Sequence, residues 1–279
     1  MNYLLKSQLI LLLLFSVSAS VAETTTPVPI VLSNCLTTRE FVTALEFLRG
    51  DEDFRLKEPE GRELAFKISE GCTGAAKRFI RVVKTLIKAE ANRKNATEIG
   101  LKFSSGTDAE TDAFVSAFRR AIAEDSLDLD FESSLKIGLS LSKEFSGDLE
   151  KVRKDFEKIV DYCADSAALA LPRSQCGTYA ASIAKNGEAW KEGVADSFIK
   201  TFQYLRSETG PALVTKDALK IAELLVTQGP GAPENFTQAY QYGTSSTGLA
   251  LPRNEAIQFA KKMAKIGEQK LNPVRAKNQ

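Results

Sequence analysis

The chemistry open to this chain is narrow, because its 279 residues include no histidine. That absence excludes histidine-dependent serine or cysteine catalysis, histidine zinc sites and imidazole proton shuttling. The sequence also contains no glycine-rich nucleotide-binding motif and no G-x-S-x-G nucleophile motif. An enzyme built on it would depend on carboxylates, lysines or a tyrosine. Paired carboxylates suffice for glycoside hydrolysis, but 36 acidic residues offer too many pairs to single one out.

The four cysteines predict two disulfide bonds. Cys35 precedes the first predicted helix and Cys72 follows the second, so an antiparallel hairpin would bring the two together. Cys163 lies near the end of the seventh helix and Cys176 in the first turns of the eighth, at the same end of another hairpin. No C-x-x-C spacing occurs, which argues against zinc. The sequence therefore predicts two structural disulfides, no metal site and no cofactor.

A basic stripe runs along the third predicted helix. Lys77, Arg81, Lys84 and Lys88 recur at helical spacing, and Arg78 lies beside them. Such a ridge could bind an anionic partner, either a membrane surface, an acidic glycan or an acidic protein. An ordinary solvated face, or pairing with acids of the next helix, explains the same pattern. The near-zero net charge of the whole chain favours this second interpretation.

Residues 1–22 have the pattern of a secretory signal peptide. Lys6 supplies the positive charge, Leu9–Phe15 is an apolar run too short to span a bilayer, and a small-x-small pattern predicts cleavage after Ala22. Cleavage would remove one of 37 basic residues and leave a neutral chain, which gives no support to nucleic-acid binding. We expect an exported protein, periplasmic or secreted, without stable transmembrane insertion.

An internal repeat is the strongest clue to architecture. Leu169-Ala-Leu-Pro-Arg173 occurs again, letter for letter, as Leu249-Ala-Leu-Pro-Arg253, 80 residues later. The longer segments Phe156–Glu188 and Phe236–Glu268 share 13 identities in 33 positions. The apolar spacing is helical almost throughout, and no convincing alternating strand occurs. A repeat at this period is typical of modular helical arrays, which mostly bind partners.

Helix start and stop signals divide the chain into about twelve helices, which we group into three degenerate repeats of four. The first repeat lacks the Leu-Ala-Leu-Pro-Arg segment and depends on weaker matches, such as Phe41–Leu45 with Phe114–Phe118. We predict an all-α fold of antiparallel helix hairpins, stacked as an α-solenoid-like or compact helical array. The predicted domains are a signal peptide (1–22), a flexible segment (23–36), three repeats (37–107, 108–187 and 188–270) and a C-terminal tail (271–279).

Four residues of the repeated segments have a structural interpretation. Pro172 and Pro252 suit the first turn of a helix, where the missing N–H would be unpaired anyway. Arg173 and Arg253 follow directly and could reach the carbonyl end of a neighbouring helix or an acid of the next repeat. Trp190, the only tryptophan, is predicted on the first turns of a helix, where we expect it to pack in the core or between repeats.

The sequence favours an exported, non-enzymatic helical-repeat protein that binds or scaffolds a partner, either another protein or a component of the envelope or extracellular space. The alternative is a carboxylate-dependent hydrolase acting on envelope glycans. A closed ring of hairpins around an acidic cavity, or two carboxylates with raised pKa in a deep pocket, would support that alternative. Asn95-Ala-Thr97 and Asn235-Phe-Thr237 match the N-glycosylation pattern. The sequence specifies no oligomeric state.

Peptide mapping of the oxidised chain under non-reducing conditions should join Cys35 to Cys72 and Cys163 to Cys176. Each unstrained bond should raise the free energy of unfolding by about 2–4 kcal/mol, because a cross-link restricts the unfolded chain. A peptide that joins Cys35 to Cys163 or to Cys176 would contradict both the pairing and this part of the hairpin assignment.

Overall fold

The computed structural model describes residues 37–271, except for residues 53, 146, 166–168, 170 and 192. The predicted signal peptide, Cys35 and residues 272–279 of the predicted tail lie outside the described residues. Within them the fold is all-α, as the apolar periodicity predicts, with twelve α-helices, one 3-10 turn (Asn186–Ala189) and no β-strand. The helices are α1 (Thr37–Gly50), α2 (Glu58–Ser69), α3 (Ala75–Lys88), α4 (Arg93–Ser104), α5 (Asp108–Ile122), α6 (Phe131–Ser142), α7 (Leu149–Ala164), α8 (Arg173–Lys185), α9 (Ala195–Arg206), α10 (Thr215–Gln228), α11 (Ala232–Thr244) and α12 (Arg253–Leu271).

Consecutive helices pair into six antiparallel hairpins, from α1–α2 to α11–α12. The odd helices from α1 to α9 contact one another in order and form one layer. Even helices form the other layer, in which α2 contacts α4 and the helices from α6 to α12 contact in turn. A hairpin has an apolar face that it cannot cover alone, and stacking on neighbours covers it. Each predicted repeat contains two hairpins, although the repeat boundaries themselves stay a prediction.

Buried side chains form two hydrophobic clusters that meet at α5. Phe114 and Phe118 of α5 belong to the first cluster, where the rings of Phe103 and Phe114 have centroids 4.7 Å apart. Ala117 and Ala121 of the same helix belong to the second cluster, which continues to α12. Helix α5 therefore joins the core of the first hairpins to the core of the remaining array.

A disulfide bond links the two helices of the α7–α8 hairpin. Cys163 and Cys176 have Cα atoms 6.0 Å apart, which confirms this predicted pair. At the corresponding place in α11–α12, a Cβ atom built on Gly243 would lie 3.4 Å from the Cβ of Ala256, so these helices also approach closely. Cys72 is disulfide-bonded as well. Its pairing with Cys35 stays a prediction, because Cys35 lies outside the described residues.

Two buried carboxylates on odd helices each cap the start of the next odd helix in the stack. Glu40 of α1 is 7% exposed and accepts hydrogen bonds from two backbone N–H groups at the start of α3, at 2.8 and 2.9 Å. Asp155 of α7 is equally buried and accepts from two N–H groups at the start of α9, at 3.0 and 3.1 Å. The first N–H groups of a helix lack internal partners and favour negative charge. These acids therefore fix one odd helix against the next.

Arg78 of α3 binds the carboxyl-terminal end of a helix, where carbonyl oxygens lack internal partners. Its guanidinium is buried and donates to two carbonyl oxygens at the end of α4, at 2.8 and 3.3 Å. It also donates to two carbonyl oxygens in the segment before α3, at 3.0 and 3.2 Å. The carboxylate of Asp108, at the start of α5, lies 3.3 Å from the same side chain. One buried cation thus holds α3, the end of α4 and the start of α5 together.

Four hairpin loops share a turn in which a non-glycine residue takes a left-handed backbone conformation. In each loop, the leucine that follows this residue donates its N–H to the carbonyl oxygen eight residues earlier, at 2.7–2.9 Å. The four left-handed residues, with φ between 35° and 51°, are Arg55, Asp128, Ala212 and Ala250. Such values are uncommon outside glycine. The same type of turn thus closes four of the six hairpins, namely α1–α2, α5–α6, α9–α10 and α11–α12.

Arginines at the starts of α8 and α12 connect to these turns. Arg173 donates to a backbone carbonyl oxygen in the α5–α6 loop at 3.0 Å and lies 3.4 Å from the carboxylate of Asp128. Arg253 donates to a backbone carbonyl oxygen in the α9–α10 loop at 2.5 Å. Pro172 and Pro252 directly precede these arginines and the first turn of each helix. Arg173 and Arg253 therefore connect α8 and α12 to turns of other hairpins, and the structural role of the two prolines stays a prediction.

The first predicted repeat contains an equivalent arginine that the sequence comparison did not reveal. Arg93 is the first residue of α4 and lies 80 residues before Arg173. Its guanidinium carbon lies 5.7 Å from the ring centroid of Phe54, in the α1–α2 loop. Glu90, 80 residues before Ala170, has φ of 64°, close to the conformation of Ala250. The first residue of α4 thus also contacts an earlier hairpin loop, through an aromatic ring in place of a carbonyl oxygen.

Replacing Arg78 with methionine should lower the free energy of unfolding by about 2–4 kcal/mol, because buried carbonyl oxygens of α4 would lose a charged donor. The matched control is Lys77→Met, at an exposed neighbouring position on the same helix, for which we expect a change within about 0.5 kcal/mol. Urea unfolding followed by circular dichroism measures both. Equal effects of the two substitutions would show that the Arg78 contacts do not hold the hairpins together.

Candidate functional site

Four of the five residues predicted to form a basic ridge lie on the exposed face of α3. Lys77, Arg81, Lys84 and Lys88 are all exposed. Arg78 does not reach this surface, because it is the buried residue that binds the end of α4. No ion pair involves Lys77 or Lys88 among the described residues, whereas Arg81 and Lys84 each hold an acid. The charges of Arg81 and Lys84 are therefore neutralised by acids, whereas Lys77 and Lys88 hold no acid among the described residues.

An ion pair joins each odd helix from α3 to α9 to the preceding odd helix. For α3 the acidic partner, Asp51, is the residue that directly follows α1. The pairs are Lys84 with Asp51 (3.2 Å), Arg81 with Asp112, Arg120 with Asp161 (2.5 Å) and Lys158 with Asp196 (2.5 Å). Most of these side chains are well exposed, so each pair stabilises the fold by only about 0–1 kcal/mol. Their main effect is to orient charged groups on the odd-helix face.

An open concavity of about 610 Å³ lies on this face, where α3, α5 and α7 meet. It is large enough for a small molecule or for one group of a larger partner. Four arginines from three helices line it, namely Arg81, Arg119, Arg120 and Arg153. The planar guanidinium presents paired donors that match carboxylate and phosphate oxygens. The lining is therefore suited to an oxyanion.

The four arginines are not equivalent. Three hold carboxylates of this chain, in the pairs Arg81–Asp112, Arg120–Asp161 and Arg153–Glu157 (2.8 and 3.0 Å). Arg119 instead donates from Nη2 to the hydroxyl of Thr85 at 3.3 Å. No carboxylate pairs with Arg119 in the part of the chain that the structure describes. Arg119 is exposed and thus brings to the concavity a positive charge that holds no acid among the described residues.

Ser126, in the α5–α6 loop, is the second unusual residue of the lining. It is only 5% exposed, and its hydroxyl has no hydrogen-bond partner among the described residues. Buried hydroxyls nearly always have a partner, and an unsatisfied one costs about 1–3 kcal/mol. Asp125 precedes it and adds an exposed carboxylate to the lining. The concavity therefore offers one guanidinium without an acidic partner among the described residues, whereas the hydroxyl oxygen of Ser126 is itself buried beneath the lining.

The carboxylates near this site do not form a catalytic pair. Burial raises the pKa of Asp155, although hydrogen bonds from Ala195 and Val194 oppose the rise. These hydrogen bonds tie Asp155 to the start of α9, and it is not part of the concavity. Within the lining, Asp112 is held by Arg81. A glycosidase needs a general acid of raised pKa facing its substrate, so this geometry gives no support to carboxylate catalysis.

The prediction that Trp190 lies on the first turns of a helix is wrong. Helix α9 begins only at Ala195, because the 3-10 turn and Gly193, with φ of 92°, interrupt the helical path. The indole is 8% exposed, and its Nε1 donates to the carbonyl oxygen of Val226 in α10 at 3.2 Å. Trp190 therefore packs in the core, as expected, and offers no exposed platform for a sugar ring.

Sequence reasoning found one of the four arginines of the concavity and missed the others. Arg119, Arg120 and Arg153 lie on α5 and α7, which stacking alone brings beside α3. The available signal was the hairpin pattern itself, since every second helix of a stacked array shares a layer. Reading the polar faces of the third, fifth and seventh helices together would have grouped Arg81 with the other three.

The described residues define the class of protein as a helix-hairpin array with a basic concavity on its odd-helix face. No helix among the described residues is long and apolar enough to cross a membrane, and no cluster of candidate metal ligands occurs among them. No protein-family model matches the chain, and neither a curated protein nor a solved structure matches it.

Ser126→Ala should leave the free energy of unfolding unchanged or raise it by about 1 kcal/mol, because it removes a buried hydroxyl without a partner. Ser142→Ala is the matched control, since Ser142 is fully buried but donates to the carbonyl oxygen of Gly138 at 2.8 Å. Losing that bond should lower the free energy of unfolding by about 1 kcal/mol. Thermal and urea unfolding distinguish the two. A destabilising Ser126→Ala would mean that its hydroxyl is satisfied within the folded chain.

Proposed function

We propose that this chain is an exported, non-enzymatic helical-repeat protein that binds an anionic partner of the cell envelope or extracellular space. The observation that carries the proposal is the convergence of Arg81, Arg119, Arg120 and Arg153 on one open concavity. Exposed Lys77 and Lys88 extend the basic surface along α3. Stacked hairpins characteristically present a continuous layer of helices as a binding surface.

Export is supported by two features of the chain. The disulfide between Cys163 and Cys176 is of the kind that persists in oxidising compartments outside the cytosol. The pattern of residues 1–22 is that of a secretory signal peptide, with cleavage expected near Ala22. A periplasmic or secreted location is part of the proposal, because both features are typical of such proteins.

Binding is favoured over hydrolysis by the chemistry of the lining. The alternative of a glycan hydrolase needs an acidic site, whereas arginines outnumber acids in this concavity. Asp155, the carboxyl group whose pKa burial raises, is bound to helix α9 rather than to the concavity. Trp190 is buried and cannot stack on a sugar. A surface that orients cations without a general acid is suited to recognition.

The proposal is tested by cross-linked capture from the native envelope fraction with the oxidised chain as bait. The variant Lys77→Glu with Lys88→Glu reverses two exposed charges that hold no ion pair among the described residues. Lys216→Glu with Lys220→Glu is the matched control, because both residues are exposed on α10 in the even layer. We expect the α3 variant to lose the partner and the α10 variant to retain it.

Capture should also weaken as sodium chloride is raised, because salt screens attraction between exposed charges. Mass spectrometry identifies the partner, and its acidity can then be checked directly. If the two variants capture the same partner equally well at every salt concentration, the basic odd-helix face is not the binding surface and the proposal fails.

A further inference from the structure

We propose that copies of this chain associate head to tail, with the last hairpin (α11–α12) of one copy packed on the first hairpin (α1–α2) of the next. The partner is thus a second copy of the chain, joined as consecutive hairpins are joined within one chain. The two ends of the array carry the two halves of an internal junction, and both halves are exposed. Such self-assembly goes beyond the proposed binding of an anionic partner.

The last hairpin exposes apolar residues whose counterparts are buried 80 residues earlier. Ile183 of α8 is fully buried, whereas its counterpart Met263 of α12 is 40% exposed. Leu169 is also fully buried, whereas its counterpart Leu249 is 43% exposed. Helix α8 contacts α9 and α10, which follow it, but no described helix follows α12. The added exposure therefore marks the surface on which a following hairpin would pack.

The first hairpin exposes the opposite half of such a junction. The letters Ala65-Phe-Lys-Ile68 of α2 match Ala218-Leu-Lys-Ile221 of α10, and the first and last residues of both segments are buried. Phe66 is nevertheless 56% exposed, whereas its counterpart Leu219 is 2% exposed. Helix α10 contacts α8 of the preceding hairpin, but no described hairpin precedes α2. Phe66 therefore lies where a preceding hairpin would pack.

An aromatic contact shows how the internal junction is built. The rings of Tyr162 in α7 and Phe202 in α9 pack edge to face, with centroids 6.3 Å apart. The counterpart of Tyr162 is Tyr242, which is 54% exposed on the last hairpin. When the first turns of α1 and α9 are aligned, Leu45 takes the place of Phe202. A head-to-tail contact would therefore cover Tyr242 with an apolar side chain.

A polar contact of the same junction has counterparts of opposite charge at the two ends. Ser182 of α8 donates to the carboxylate of Glu223 in α10 at 3.3 Å. Their counterparts are Lys262 on the last hairpin and Glu70 at the end of α2, and both are exposed. A lysine in place of the serine keeps a donor and adds charge attraction between the ends. This complementarity favours joining one end to the other rather than either end to itself.

An array that works as a single copy needs polar outer faces on its terminal repeats, because exposed apolar surface lowers solubility. The terminal hairpins of this chain instead keep apolar residues at the junction positions, and exposed apolar patches mark interaction surfaces. The two faces differ, so each added copy leaves another open end. Head-to-tail contacts of this kind build open filaments unless the rotation between copies closes a ring.

The test is sedimentation velocity of the full oxidised mature chain from micromolar to millimolar concentration, where we expect the sedimentation coefficient to rise. Phe66→Glu and Met263→Glu should each weaken association at least about tenfold, because each would bury an unpaired charge in the junction. Leu224→Glu is the matched control, since Leu224 is an exposed apolar residue of α10, away from both terminal hairpins. It should leave association unchanged.

Mixing the two variants separates a lost contact from a lost fold. The Phe66→Glu chain keeps an intact last hairpin, and the Met263→Glu chain keeps an intact first hairpin. Together they should form a dimer of one copy of each and stop there, because both outer ends of that dimer carry a substitution. A contact of either end with itself would instead respond to only one of the two substitutions.

Three outcomes overturn the inference. The first is a monomer at every concentration, which would point to residues 23–36 of the same chain or to another protein as the cover of these ends. The second is association that Phe66→Glu or Met263→Glu leaves unchanged. The third is association that each variant loses and that mixing does not restore. The proposed function is tested separately, because capture of the anionic partner is probed through Lys77 and Lys88 of α3.

Discussion

The constraint on which this fold depends is the bonding of helix ends inside a stack of short helices. Each helix leaves N–H groups at one end and carbonyl oxygens at the other without internal partners. Where such ends are buried in the stack, side chains of neighbouring helices bind them. Glu40 and Asp155 accept from the starts of α3 and α9, and Arg78 donates to the end of α4. Packing of the two apolar clusters is possible because these ends are satisfied.

The architecture could be predicted from sequence, because helical periodicity, caps and the Leu-Ala-Leu-Pro-Arg repeat are local signals. The Cys163–Cys176 pair was predictable for the same reason, since a hairpin fixes which helix ends meet. The burial of Arg78, in contrast, could not be predicted from local signals. Arg78 neighbours Lys77 in sequence, and its partners on α4 and α5 lie at least 25 residues away. Spacing along α3 cannot show that one cation is buried and the next exposed.

Less of the candidate site could be predicted. The basic stripe on α3 identified Arg81, but Arg119 and Arg153 belong to other hairpins and meet it only after stacking. The hydroxyl of Ser126 becomes buried and unpaired only in the folded chain, and no local sequence pattern predicts that state. The interruption before α9 was equally hidden, because it depends on Gly193 taking a conformation with φ of 92°. A site formed by residues of several hairpins thus becomes visible only in the three-dimensional structure.

The arginines at the starts of α8 and α12 have a consequence for how the chain acquires its structure. Each contacts a turn within its own predicted repeat, 49 and 41 residues earlier. The α7–α8 disulfide closes over 13 residues. These contacts and this cross-link lie within single predicted repeats, so none of them needs a residue of a later repeat. A chain that emerges amino end first can therefore form these contacts and this cross-link before the next repeat has appeared, which favours vectorial assembly.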